Sequence, residues 1–236
     1  MDATSRRWEI TTPAEGGFAP DLDANFEIAR QAGTLSNVHA VVAVRYGRIF
    51  FERYLAGPGA GLGRPLGVVR FGPDTLHDLR SVSKSIVGLL YGIALAAGRV
   101  PPPGANLLDQ FPDYPELAGD PARRGLTVEH ALTMTLGLAW DEQTFPYGDP
   151  RNSETAMNRA ADGCRYALEQ PVVEAPRVRW GYSGGATAVL ARLIEKGTGL
   201  ALPAYAQQAL FEPLGITQTE WRIGPNGWRL LPPGCV

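Results

Sequence analysis

The chain has 236 residues, 44% hydrophobic and 19% charged, an ordinary globular composition with room for one large domain or two small ones. A formal net charge of −2 without any lysine or arginine cluster argues against a nucleic-acid partner, and two distant cysteines, Cys164 and Cys235, supply neither a disulfide framework nor a zinc pattern. The most apolar stretch, Ile86 to Ala97, is roughly half a membrane span, and Met1 to Ile10 has no apolar signal-peptide core, so the expectation is a soluble, cytoplasmic protein with no membrane partner.

Met1 to Pro20 reads as a polar, loose arm broken by Pro13 and Gly16-Gly17. Asp21 to Gly33 predicts a short helix with Leu22, Phe26 and Ala29 on one side and Gly33 as its stop. Val38 to Val44 and Ile49 to Leu55 are β-rich runs joined by a turn at Tyr46-Gly47, a hairpin signal. Gly57 to Gly72 reads as a long glycine-rich loop. Its Gly57-Pro58-Gly59-Ala60-Gly61 lacks the spacing of a phosphate cradle, and no helix follows directly.

Ser81 opens a long helix carrying Val82, Ile86, Val87, Leu89, Leu90, Ile93 and Leu95. These positions surround the axis, which predicts burial on most sides. Gly98 ends the helix and Pro101-Pro102-Pro103 prevents continuation. Leu107 to Tyr114 is a turn-rich connection. Thr127 caps a helix from Val128 to about Leu136, stopped by Gly137. Trp140 to Asn158 is an irregular polar and aromatic loop of the kind that walls a substrate cleft. A weak helix around Ala156 to Leu168 follows, then a short extended piece at Val178 to Trp180. A clear helix from Ala186 to Lys196 stops at Gly197, and another begins near Pro203 and ends before Pro213. The tail from Trp221 to Val236 has no periodicity. Only one convincing strand pair is visible, and two strands alone make no stable sheet.

The pattern that carries chemistry is Ser81-Val82-Ser83-Lys84. One helical turn places Ser81 and Lys84 on one face, so an ammonium reaches a hydroxyl, the minimal equipment of serine acyl transfer. Read blandly, Ser81 is an N-cap and Lys84 a surface residue. Lysine is, however, unfavourable beside the positive end of a helix dipole, and Lys84 is one of only two lysines, with Lys196. Gly181-Tyr182-Ser183-Gly184-Gly185 also fits the G-x-S-x-G elbow of α/β-hydrolases, with Ser183 as nucleophile. That fold needs a later histidine, and His39, His77 and His130 all precede Ser183. His130 reads as a packed core histidine. Asp141-Glu142, adjacent on a loop, are expected to point apart and face solvent.

The chain resembles the penicillin-recognising serine hydrolases, specifically the class C β-lactamase-related branch, which includes carboxylesterases, D-amino-acid peptidases and nylon-oligomer hydrolases. The matching stretches are Asp78 to Ile86, Val128 to Leu138, Trp180 to Gly185 and Leu210 to Gly215, in family order. With the hairpin they cover about residues 35 to 221. The resemblance implies an α+β fold of the β-lactamase/transpeptidase type, an antiparallel sheet flanked by helices beside a mostly helical region. It implies one domain: an arm, helix and hairpin over about 1–80, the helical region with both motifs over about 81–220, and an atypical tail at 221–236. Carried over, Ser81 is the acylated nucleophile, Lys84 helps to deprotonate it, and Tyr182 is the general base or acid. The substrate is a small ester or amide, and neither a cofactor nor a metal is needed.

Two departures stand out. The family's third residue of the tyrosine motif is Asn, which helps to bind an acyl-amide group; here it is Gly184, which leans toward ester or small amide substrates. The family's third box, a Lys/His-Thr/Ser-Gly strand that supplies the second oxyanion donor, has no counterpart after residue 220. The expectation from this is a truncated or frameshifted product lacking C-terminal strands, with a catalytically inactive relative or binding remnant as the alternative to an enzyme.

Overall fold

A computed structural model describes residues 8–61 and 64–221. The chain divides into two units, Met1–Asp78 and Leu79–Val236.

The first unit contains β1 (Glu9–Ile10), α1 (Leu22–Gln31), β2 (Ala40–Arg45), β3 (Arg48–Tyr54), β4 (Ala56–Gly61) and β5 (Arg64–Arg70). The hairpin appears where the β-rich runs and the Tyr46-Gly47 turn put it. Both turn residues have positive φ (51° and 73°), the left-handed pair that matches the twist of the flanking strands. Two expectations for this unit fail. Residues 9 and 10 are not a loose arm: β1 pairs in parallel with β3, giving a sheet in the order β1-β3-β2. Gly57 to Gly72 is not a loop: β4 and β5 form a second antiparallel hairpin. Glycine disguises it, because the strand propensity of this stretch sits on β5, while β4 contributes close approach. A Cβ on Gly59 would lie 2.6 Å from Val69 Cγ2. Phe26 of α1 packs edge-on against Phe51 of β3, and Arg53 pairs with Asp23.

The second unit contains α2 (Val82–Ala96), α3 (Pro115–Ala118), α4 (Val128–Leu132), α5 (Ser153–Arg159), α6 (Gly163–Glu169), α7 (Gly184–Thr198) and α8 (Leu202–Ala206). The α8 turn continues as a π-helical segment over Gln207–Phe211. Among the described residues no helix is long and apolar enough to cross a membrane. The core is built on α7, which packs against α2, α4, α5, α6 and α8. Val87, Leu90, Tyr91 and Ala94 of α2 join Val189, Leu193 and Ile194 of α7 in one cluster.

Helix α2 is less enclosed than its sequence predicts: its buried residues form one face, while Val82 and Leu89 are exposed. The single helix expected over Ala156 to Leu168 is two, because the Asp162 carboxylate accepts from Arg165 N–H and starts α6 afresh. Val178 to Trp180 forms no strand. Thr127 caps α4 as expected, with His130 completing a reciprocal capping box. His130 is buried, and that burial holds its imidazole below the ordinary histidine range. Apart from Trp221, the tail lies outside the described residues.

Helix α7 runs through Gly197 and stops at Gly199, whose φ of 74° gives the left-handed cap. Gly197 serves a different purpose. A Cβ there would lie 1.9 Å from the Arg99 carbonyl oxygen, so only glycine lets α7 lie against that backbone. Gly197→Ala is expected to destabilise the protein by about 1–3 kcal/mol, the usual cost of overpacking. Gly199→Ala tests strain at φ without crowding. A thermal melt in which Gly197→Ala is silent would refute the close-packing role.

Candidate functional site

Ser81 and Lys84 meet as the motif spacing requires. The Lys84 ammonium donates to Ser81 Oγ at 3.2 Å. The bland alternative fails on both residues. Ser81 makes no side-chain capping bond to α2, and the Lys84 side chain is only 12% exposed. Ser81 itself is exposed, so the hydroxyl is open to a substrate while its amine partner is enclosed. The preceding residue, Arg80, has a φ of 47°, a left-handed conformation that costs a non-glycine residue on the order of 1–2 kcal/mol.

Tyr182 joins them from the loop ahead of α7, with Lys84 Nζ 4.9 Å from its ring centroid. That loop is tied to the end of α4, where Met134 has positive φ and its carbonyl accepts from Gly181 N–H at 2.9 Å. The Val173 and Glu174 amides both donate to the Gly137 carbonyl oxygen. Helix α4 ends at Leu132, so Gly137 is not its stop as expected; a Cβ on Gly137 would instead collide with the Glu174 carbonyl.

Ser183 takes no part as a nucleophile elbow. It is buried, and its Oγ accepts from Ala186 N–H at 3.0 Å as the N-cap of α7. The α/β-hydrolase alternative is therefore set aside.

Two carboxylates at this site, Glu142 and Glu154, were not among the expected site residues. Glu142 was expected to face solvent beside Asp141, yet its side chain is fully buried. The two carboxylates do point apart. Asp141 turns outward to accept from the Thr144 and Gln143 amides, which hold its carboxyl below the usual range. Glu142 turns inward, where its Oε2 accepts from Trp140 Nε1 at 2.7 Å and from Gly184 N–H at 2.8 Å. Its Oε1 lies 4.0 Å from Lys84 Nζ. Buried Asn152 fixes this loop, donating to the carbonyls of Glu142 and Phe145 while its oxygen caps α5. The only local sequence signal was Asn152 ahead of a helix, an N-cap whose other end folds the loop back.

Glu154, on the first turn of α5, approaches from the other side. A Cβ on Gly184 would lie 3.0 Å from Glu142 Oε2 and 3.1 Å from Glu154 Cδ, so both carboxylates crowd the place of the missing side chain. Burial, reinforced by the Glu142 charge, raises the Glu154 carboxyl above its ordinary range. A cavity of about 500 Å³ opens beside Tyr182, lined also by Leu138, Trp140, Glu142 and Trp180. Trp140 to Thr144 thus does wall a cleft, although Ser81 and Lys84 are not among the residues lining it.

A carboxyl group with a raised folded-state value opposes folding once the unfolded chain ionises. Stability should therefore fall as pH rises through about 4.5. Glu154→Gln removes that term, so the variant should melt above the parent at pH 7 and equal to it well below pH 4.5. A pH-independent difference in melting temperature would contradict this.

Residues 29–230 of the chain match the family model described as Beta-lactamase. It is 30% identical over 210 residues to the esterase EstB of Burkholderia gladioli, covering 84% of this chain and 50% of that protein. It is 28% identical over 217 residues to the 6-aminohexanoate-dimer hydrolase of Paenarthrobacter ureafaciens, covering 84% and 48%. The chain thus spans about half the length of these curated relatives. The fold is shared with a penicillin-binding protein homolog from Caulobacter crescentus (TM-score 0.59, 20% identity, 87% and 51% covered). It is shared also with the D-alanine carboxypeptidase AmpC of Burkholderia cenocepacia (TM-score 0.57, 21% identity, 87% and 52% covered).

Proposed function

The chain belongs to the Beta-lactamase family, and on that premise we propose that it is a serine hydrolase of small ester or amide bonds, working through an acyl-enzyme on Ser81. The observation that carries this reading is the 3.2 Å contact between Lys84 Nζ and an exposed Ser81 hydroxyl, with Tyr182 over the same ammonium. A serine hydroxyl is a poor nucleophile until a base lies beside it. In the proposed cycle Ser81 Oγ attacks the substrate carbonyl carbon and its proton passes into the Lys84–Tyr182 pair. That pair returns the proton to the departing alcohol or amine, leaving an ester on Ser81. Water then attacks the ester, giving up its proton to the same pair, and the acid leaves as Ser81 is reprotonated. The Ser81 N–H at the head of α2 is the proposed oxyanion donor.

A small substrate agrees with the cavity beside Tyr182, whose volume lies within the range of about 300–1,000 Å³ typical of small-molecule sites. Preference for esters and simple amides rests on Gly184. No side chain there can hydrogen-bond an acyl-amide group, and two carboxylates fill the space instead. Both named relatives, an esterase and a 6-aminohexanoate-dimer hydrolase, agree with that class. The reading takes the described residues as parts of one domain of this family.

Ser81→Ala is expected to lower p-nitrophenyl acetate hydrolysis by at least about 10³-fold and to abolish fluorophosphonate labelling. Retained turnover with labelling at another serine would overturn the assignment. A parent chain without Ser81-dependent turnover would favour the inactive relative.

A further inference from the structure

Among the described residues, Glu142 Oε1 is a buried carboxylate oxygen without a hydrogen-bond donor. Its sister oxygen is supplied twice, by an indole N–H and by the backbone N–H at the head of α7. Those donors favour the ionised form. A buried carboxylate with one bare oxygen requires a nearby cation, and Lys84 Nζ is 4.0 Å from that oxygen. Glu154, half-buried, crowds the same point at Gly184, and two adjacent carboxylates shielded from water do not both ionise cheaply.

We propose that Glu142 is a positioning residue for Lys84, its carboxylate holding the ammonium between Ser81 and Tyr182, while Glu154 beside it stays neutral. This rests on the hydrolase reading for its purpose, though not for its test. The groups facing the cluster are Ser81 and Lys84 from the head of α2, Tyr182 from the loop before α7, and Glu142 and Tyr147 from the 140–152 loop. Glu154 faces it from α5, and Arg80 acts on Tyr147. The raised carboxyl of Glu154 agrees with its being the protonated member.

The sign of the effect does not depend on whether Lys84 or Tyr182 takes the serine proton. Removing the Glu142 charge makes every proton loss from the Lys84–Tyr182 pair easier, so both of its apparent midpoints fall. The chain has only two lysines, Lys84 and Lys196. This 236-residue chain labelled with ε-¹³C-lysine therefore gives two side-chain signals, and Lys196→Arg identifies that of Lys84. In Glu142→Gln the Lys84 midpoint should fall, whereas Glu154→Gln should leave it unmoved within the precision of the titration. An unmoved midpoint in Glu142→Gln, or an equal fall in Glu154→Gln, overturns the proposal. If Glu142→Gln does not melt cooperatively, Glu142→Asp takes its place. Its shorter carboxylate draws back from Lys84, and a smaller fall is expected; no fall there overturns the proposal equally. The titration needs no turnover, so a failed Ser81→Ala assay would sink the hydrolase reading while leaving this result to be judged separately.

Discussion

The first two residues of α7, Gly184 and Gly185, carry no side chains, and the site depends on that gap. A Cβ on Gly185 would lie 2.6 Å from the Trp140 ring and 2.8 Å from Ala167 Cβ. A Cβ on Gly184 would enter the two carboxylates. Two glycines thus let an indole and two acids approach a helix N-terminus, at the known cost of glycine in a helix, about 1 kcal/mol each. The Gly184 amide then meets the carboxylate that faces Lys84.

Burial converts this geometry into electrostatics. A charge pair 4 Å apart is worth about 1 kcal/mol in water and several times more away from it. With the Glu142 side chain wholly enclosed and that of Lys84 nearly so, their attraction escapes most solvent screening. The Ser81 hydroxyl, by contrast, stays open. Under the proposed function, this arrangement separates an enclosed charge pair from the exposed hydroxyl proposed to meet substrate. The left-handed backbone at Arg80 adds local strain at the same place, held by the surrounding fold.

Family membership leaves room for individual chemistry. At Gly184 this chain lacks the asparagine that the resemblance predicts, and the structure supplies a physical correlate. The position is not empty but occupied by acids from a neighbouring loop and helix. A substitution to asparagine in isolation would therefore meet carboxylates already in place.

The sequence by itself determined the long helices α2 and α7, the Tyr46-Gly47 hairpin, and Ser81 and Lys84 as neighbours, because these rest on local rules: helical spacing, caps and turn glycines. It did not determine that α4 ends at Leu132 or that α5 and α6 are separate. Tyr182 entered through ordered motif matches and not through any local rule. Tertiary structure alone decided the β4–β5 hairpin, since strand pairing of a glycine-rich segment depends on what it approaches and not on its own propensity. It decided that Gly197 is a contact and Gly199 the stop, which look alike in sequence. It also decided Glu142. Adjacent loop carboxylates normally face water, and only Asn152, clamping the loop from ten residues away, and the bare head of α7 turn this one inward.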